Sequence, residues 1–531
     1  MRFLLLSLVL TLGVSAKERW VYIPANYQVD AEKDRVIALL TRAKAAGYDH
    51  ALITDSKFAR LGTVPERYFQ NTDRVKKAAA GLKIELVPAM FQVGYSNNLL
   101  FHDPNLAEGL PVKDALFVVR EGKARLQPDP EVRLKGGDMN DRKSWSFADD
   151  SLTSEDGAMH SPPTDKNARL HQGLKVSPFR QYHVSVRIRT RGLAGGTPEI
   201  KALTKGGKSL QWTNLGVKPD QDWTTHHVTF NSLGNEEVSL YFGVWGGHKG
   251  DLWWDDAAIE ECGLTNLLRR PGAPLTVRRE SGDVLKEGRD FDPLLDPLTG
   301  TKPWPGEFTA WHEPPAITTR NIPDGTRLRV SFFHPHIIYD GQVCACVEEP
   351  ALQELLRDEA RRVTKLWDAK SNMMSHDEWR VLGWDESCRK SGRTPGEIAA
   401  NNLRFCTKLL RDTAPDSRIL VWSDMFDPHH NAVADYYLVN GSLDGAWKGL
   451  DPAVSVVNWN FDKREKSLMF FSQRGNHQII AGFYDGPLEN VTRWVESARN
   501  IPKVDGFMYT TWRNDFTKLE EVSRLLDADG F

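Results

Sequence analysis

Two carboxylates stand side by side in "SNMMSHDEWR" (371–380): Asp377 and Glu378, where an apolar, strand-like run stops. Adjacent carboxylates resist ionising together, so one proton is held to higher pH. A carboxylic acid that keeps its proton near neutral pH can serve as a general acid, and the spacing is read as an acid with an orienting partner. The plainer alternative is a solvated strand end. Other strand ends weigh against it, because acids and aromatics recur there: Trp422 and Asp424 in "RILVWSD", Asn458 and Trp459 in "AVSVVNWN", Tyr484 and Asp485 in "QIIAGFYD", and Trp512 with Asn514 at and after "GFMYTTW". Carboxylates for proton transfer beside flat apolar rings for stacking make a composition suited to cleaving sugars. The three tryptophans could instead be core, and Asp424 could simply hold a loop.

The elements that must position these residues alternate strand and helix. Strand-like runs at 19–25, 49–55, 83–91, 371–377, 418–424, 453–460, 478–485 and 506–512 are separated by helical periods or by one long interruption. Asp30 is placed as the cap of the first helix. "TPGEIAANNLRF" carries a full start signal, with Thr394 as cap, Pro395 in the first turn and Glu397 closing the box. Helices are expected between the later strands and after the last. Eight such units predict an α/β fold, a (β/α)8 TIM barrel, whose chemistry sits at the C-terminal ends of the strands.

Residues 92–350 then form one insertion between the third and fourth strands. Short alternating strands such as "YHVSVRIRT", "VSLYFGVWGG" and "DLWWDDAAIEE" predict an all-β sandwich over 130–263. Its Trp245, Trp253 and Trp254 are read as core before sugar platforms, although an alternating strand cannot bury both Trp253 and Trp254. The division expected is 1–16 leader, 17–129 first part of the barrel, 130–263 sandwich, 264–349 a return segment with short strands, and 350–531 the second part with the catalytic residues. The strand-like run near Val330 is assigned to the insertion.

The 531 residues carry a net charge of −3, which gives no sign of a nucleic-acid or anionic-membrane partner. "MRFLLLSLVLTLGVSA" (1–16) has a basic start, an apolar stretch too short to span a bilayer and a small-residue cleavage site, so an exported protein is expected. None of the five cysteines has a zinc-like spacing; Cys344 and Cys346 are too close to pair easily, and Cys388 with Cys406 is a possible disulfide. "FFHPHIIYD" offers His334, His336 and Asp340, and His429 and His430 adjoin in a loop, but a third metal ligand falls at no compelling spacing. No cofactor or metal is expected. The expected partner is an oligosaccharide or polysaccharide.

The order of strand ends after Ser371 resembles glycoside hydrolase family 20, the β-N-acetylhexosaminidases, and residues 130–263 resemble a jelly-roll carbohydrate-binding module. The first resemblance implies cleavage assisted by the substrate's own 2-acetamido group. In that scheme Asp377 orients the acetamido group, Glu378 is the general acid/base, Trp422, Trp459 and Trp512 wall the acetamido pocket, and Tyr484 or Asp485 touches its oxygen and the sugar. The chain departs from the family pattern. Ser375 and His376 replace two glycines before the acid pair. The first strand end, "PANYQVD", lacks an Arg and offers neutral contacts from Asn26, Tyr27 and Gln28. Asn514 replaces a carboxylate. Two other classes therefore stay open: a retaining glycosidase with Asp424 or Asp485 as an enzymic nucleophile, and a sugar-binding barrel without turnover.

Overall fold

The computed structural model describes residues 17–531; the leader expected at 1–16 lies outside the described residues. Eight parallel strands close into a barrel in chain order. They are β1 (Glu18–Pro24), β2 (His50–Thr54), β3 (Glu85–Met90), β4 (Ser371–Met374), β5 (Arg418–Trp422), β6 (Val454–Asn458), β7 (Gln478–Phe483) and β8 (Val504–Thr510). All eight fall where the apolar runs placed them. β8 pairs back onto β1, with Met508 opposite Trp20, and closes the ring.

Strand alternation divides the side chains between two cores. Trp20, Leu52, Val87, Met373, Leu420, Val457, Ile479 and Met508 fill the barrel interior. Val21, Ile53, Ile419 and Val456 point outward and join Val36, Leu356 and Leu403 of the surrounding helices. Those helices are α1 (Asp30–Ala45), α2 (Glu66–Leu82), α3 (Pro350–Trp367), α4 (Pro395–Thr413), α5 (Arg464–Gln473), α6 (Glu489–Ala498) and α7 (Leu519–Ala528). The capping box of Thr394 and Glu397 forms at the start of α4. Asp30 is the first helical residue and Val29 the cap, so the carboxylate acts from the first turn, where it suits the helix dipole. Between β5 and β6 the expected helix is replaced by the short 3-10 turn Ala446–Gly449. That turn lies directly on α4: a Cβ on Gly449 would meet the Ala400 carbonyl oxygen at 2.3 Å.

The insertion holds three antiparallel sheets. A five-stranded sheet, with Gln181–Ala194 between Gln221–Asn231 and Lys249–Glu261, faces a four-stranded sheet centred on Glu237–Val244 and Ala168–Lys175. Tyr182, Val184, Phe230, Leu240, Phe242 and Trp254 pack between them. Trp254 is the inward member of its pair. Trp253 faces outward, stacked on His160 at 4.7 Å and beneath Arg189 at 4.2 Å. Trp245 is half-buried under Lys201, so of the three tryptophans read as core only Trp254 is.

The third sheet departs from the expected division. Leu110–Arg120 and Lys123–Leu126, read with the first part of the barrel, pair antiparallel with Arg327–His334 and Ile317–Thr318. They share a separate core of Val112, Phe117, Val119, Leu328 and Phe332. The run near Val330 belongs to this sheet, outside the barrel.

The sandwich also touches the barrel rim. Trp212 packs on Tyr437 with ring centroids 4.5 Å apart and Lys208 pairs with Asp435, while Asn214 donates to Asp340 of the return segment at 2.9 Å.

Candidate active site

A cleft of about 950 Å³ opens at the C-terminal ends of the strands. Asp377, Glu378, Trp422, Trp459, Tyr484, Trp512 and Asn514 line it together with Asn26. Tyr27 does not; its ring is buried against Tyr68 and Trp367.

The backbone after β4 is bent to present the acid pair. His376 and Glu378 are both left-handed, with φ of 50°. Non-glycine residues held there store strain that the surroundings must enforce. Ser375 donates its N–H to the Met90 carbonyl at 2.7 Å, and the His376 ring turns away from the cleft to meet Asn402 at 2.9 Å. Burial pushes His376 down to about 4, so it is neutral. His376 thus points away from the cleft, while Ser375 lines it. Gly94 is required beneath it: a Cβ there would meet the Asp377 carbonyl oxygen at 2.1 Å. Phe483, Tyr484 and Asp485 form a second left-handed run, φ 54–59°, which throws Tyr484 out over the cleft.

Five rings form a cage. Trp459 and Tyr484 stack in parallel, 5.4 Å apart and 4° from coplanar. Tyr484 meets Trp512 edge-on at 5.3 Å, and Trp512 lies 6.1 Å from Trp422. Tyr22 closes the ring, 5.2 Å from Trp512 and 6.2 Å from Trp422. Trp512 and Tyr484 are 43% and 37% exposed, far more than two large aromatics kept for the core would be.

The three nearby carboxyls differ. Burial, and then the charges of Asp424 and Glu378, push Asp377 up to about 8. Burial likewise pushes Asp424 up to about 7. Glu378 forms an ion pair with Arg380, whose side chain is 5% exposed, and accepts from the Tyr95 hydroxyl. Arg380 in turn holds Gln342 and faces the rings of Tyr339 and Tyr437 at 5.0 and 5.1 Å. Burial opposes the guanidinium charge, yet Glu378 and Tyr95 hold it protonated. Of the two carboxyls that burial raises, Asp377 is pushed up the further.

Asp424 and Asp485 sit behind the cleft wall. Asp424 is fully buried and accepts the Glu378 N–H at 2.8 Å, Asn431 at 3.0 Å and the Trp459 indole at 3.4 Å. Asp485 accepts the backbone N–H groups of Trp512 at 2.7 Å and Arg513 at 3.2 Å. Both carboxylates orient cleft residues and are poorly placed to attack a substrate.

Sequence reading missed Tyr22, Tyr95, Gln342 and Arg380. Arg380 stands two residues after Glu378, but the left-handed Glu378 backbone and not strand alternation brings them together, so the spacing carried no usable signal. Tyr95 and Gln342 come from the insertion and carried none. The expected disulfide partners do not meet: Cys388 lies 3.7 Å from Cys346, while Cys406 contacts Asn402. His334 is tied to Asn231 at 3.0 Å and Asp340 accepts from Asn214, so that group is engaged elsewhere.

No protein-family model matches the chain, and no curated protein matches it by sequence. Among solved structures, a rhamnosidase from Novosphingobium sp. PP1Y aligns over 97% of this chain and 58% of its own, at 10% identity and a TM-score of 0.33. An exo-β-N-acetylglucosaminidase of glycoside hydrolase family 20 from Vibrio harveyi aligns over 70% of this chain and 93% of its own, at 8% identity and a TM-score of 0.30. A structure described as "CBM4 structure and function" aligns over 24% of this chain and 85% of its own, at 19% identity and a TM-score of 0.17.

Proposed function

We propose that the chain is a glycoside hydrolase that cleaves β-linked 2-acetamido sugars from an oligosaccharide or polysaccharide, with the substrate's acetamido oxygen as nucleophile. The observation that carries this reading is the five-ring cage that lines the same cleft as Asp377, a carboxyl that burial pushes up to about 8. Ring faces match the C–H faces of a pyranose, and a cage this tight suits a sugar bearing a compact apolar acetamido methyl.

Asp377 is the general acid in this proposal. Its O–H donates to the glycosidic oxygen as the bond to the anomeric carbon breaks. The acetamido oxygen closes on that carbon from the other face, giving an oxazolinium ion. The Glu378 carboxylate, held in place by its ion pair with Arg380, steadies the positive charge. Water then opens the ring, and its proton returns to Asp377. The family resemblance gives these two roles in the opposite order; the ion pair at Glu378 favours the order stated here. The same ion pair also favours a second reading, in which Glu378 itself attacks the anomeric carbon.

Aryl glycosides with and without the 2-acetamido group separate the readings. Turnover confined to acetamido substrates, with inhibition by a thiazoline mimic, supports substrate assistance. Labelling of Glu378 by a 2-fluoro glycoside supports the enzymic nucleophile. Binding of sugar without turnover on any substrate would leave a lectin-like barrel. Export through the 1–16 leader belongs to the same proposal, as does sugar binding by the sandwich, where Trp253, Arg189 and Trp223 form an outward-facing stack.

A further inference from the structure

Glu108, Cys346, Asp385 and Cys388 are all buried, and their ligand atoms lie within 4.8 Å of one another. The two sulfurs are 3.7 Å apart, and the Cys388 sulfur is 3.3 Å from Glu108 Oε2. A tetrahedral zinc ion with Zn–S bonds of ~2.3 Å and Zn–O bonds of ~2.0 Å separates its ligands by ~3.7 Å between sulfurs and ~3.5 Å between sulfur and oxygen. The sulfur–sulfur edge and the Cys388–Glu108 edge already match that tetrahedron, and the remaining edges lie within 4.8 Å, whereas a disulfide would need the sulfurs to close to ~2.0 Å.

The surrounding contacts orient the ligands as an outer shell does. Glu108 Oε1 accepts the backbone N–H of Trp384 at 2.7 Å and of Asp385 at 3.3 Å, which leaves Oε2 facing the sulfurs. Asp385 Oδ1 accepts the Cys388 N–H at 3.0 Å, and its Oδ2 takes Arg270 at 2.5 Å. Arg270 bridges Asp385 and Glu349, so it borders the cluster at Asp385 and divides its single charge between the two carboxylates. Among the described residues, Glu108 accepts from neutral groups alone. Two thiols and a buried carboxyl facing one another are a poor apolar core and a good cation site.

We propose that Glu108, Cys346, Asp385 and Cys388 bind one divalent metal ion, with zinc as the fitting metal. On binding, both thiols release their protons to solvent as the two metal–sulfur bonds form, and no electrons are transferred. The ion joins three distant segments: the stretch after β3, the stretch before α3 and the loop after β4. That loop carries Asp377, Glu378 and Arg380, so the ion acts as a clamp on the acid pair's support.

The test is the metal content of the full chain, produced with zinc in the medium, dialysed and measured by mass spectrometry of the elements. About one zinc per chain is expected, with loss in Cys346→Ala and Cys388→Ala and retention in Cys406→Ala. Cobalt exchanged into the wild type should give a thiolate-to-cobalt charge-transfer band that Cys388→Ala lacks. Circular dichroism reports whether each variant is folded; if the cysteine variants do not fold, the wild-type content and the cobalt band decide. Wild type without metal and with both thiols open to alkylation would overturn the proposal. So would an intact mass about two daltons low with a Cys346–Cys388 cross-linked peptide, since that marks a disulfide.

Discussion

Replacing Asp377 by Asn removes one proton and keeps the shape. With its acid held up to about 8, the wild type has about nine-tenths of Asp377 protonated at pH 7 and about one-tenth at pH 9. For a substrate with a poor leaving group, kcat/KM should therefore fall about tenfold between those pH values. Asp377→Asn should lose about 10²–10⁴ in kcat at pH 7 on that substrate and should also lose the alkaline limb. A dinitrophenyl leaving group needs no proton, so there the loss should stay under about tenfold. Stability should move the other way. A carboxyl whose pKa is raised on folding contributes its proton-linked stabilisation below pH 4, and that contribution is lost as pH rises through about 8. A rise of about four pKa units sets a ceiling of ~6 kcal/mol on this loss; water in the open cleft reduces it, and a gain of ~1–3 kcal/mol is expected for Asp377→Asn at pH 9. No gain is expected at pH 3. Steady-state kinetics across a leaving-group series and thermal melts at both pH values measure the two effects. An equal loss on every leaving group, with no stability gain at pH 9, would refute the assignment of the proton to Asp377.

Substitutions at three further residues probe the surroundings. Arg380→Gln removes the side chain that holds Glu378 and Gln342, so kcat should fall about tenfold in a folded protein, while Arg380→Lys should lose less; an unchanged kcat would show that the ion pair does not position Glu378. Trp512→Ala removes an exposed ring of the cage and should raise KM about tenfold with an unchanged melting temperature; a lowered melting temperature with unchanged KM would assign Trp512 to packing. Trp212→Ala loosens the sandwich from Tyr437, which faces Arg380, and should lower kcat by about three- to tenfold in a folded protein. Wild-type kinetics in that variant would show that the sandwich has no hold on the acid pair.

The barrel was legible because its signals are local. Each strand is an apolar run long enough to fill both of its faces, and the Thr394 box marks the start of α4 without help from distant residues. The aromatic residues at the strand ends were legible for the same reason: once eight strands are placed, their C-terminal ends share a rim, and Trp422, Trp459, Tyr484 and Trp512 meet in one cage. Long-range pairing carried no such mark. Leu110–Arg120 joins Arg327–His334 across some two hundred residues, and nothing in either run names its partner. The same holds for Cys346 with Cys388 and Glu108, whose spacing in the chain hides a common centre. Charge is the clearest case. Two adjacent carboxylates imply one retained proton, but they do not say which group keeps it. The rise at Asp377 comes from burial and then from the charge of Asp424, which the chain brings beside it only on folding. The pair Trp253 and Trp254 follows the same rule. Alternation requires that one be buried, and the facing sheet determines that it is Trp254, because only that side of the strand has Phe242 and the rest of the core to meet it.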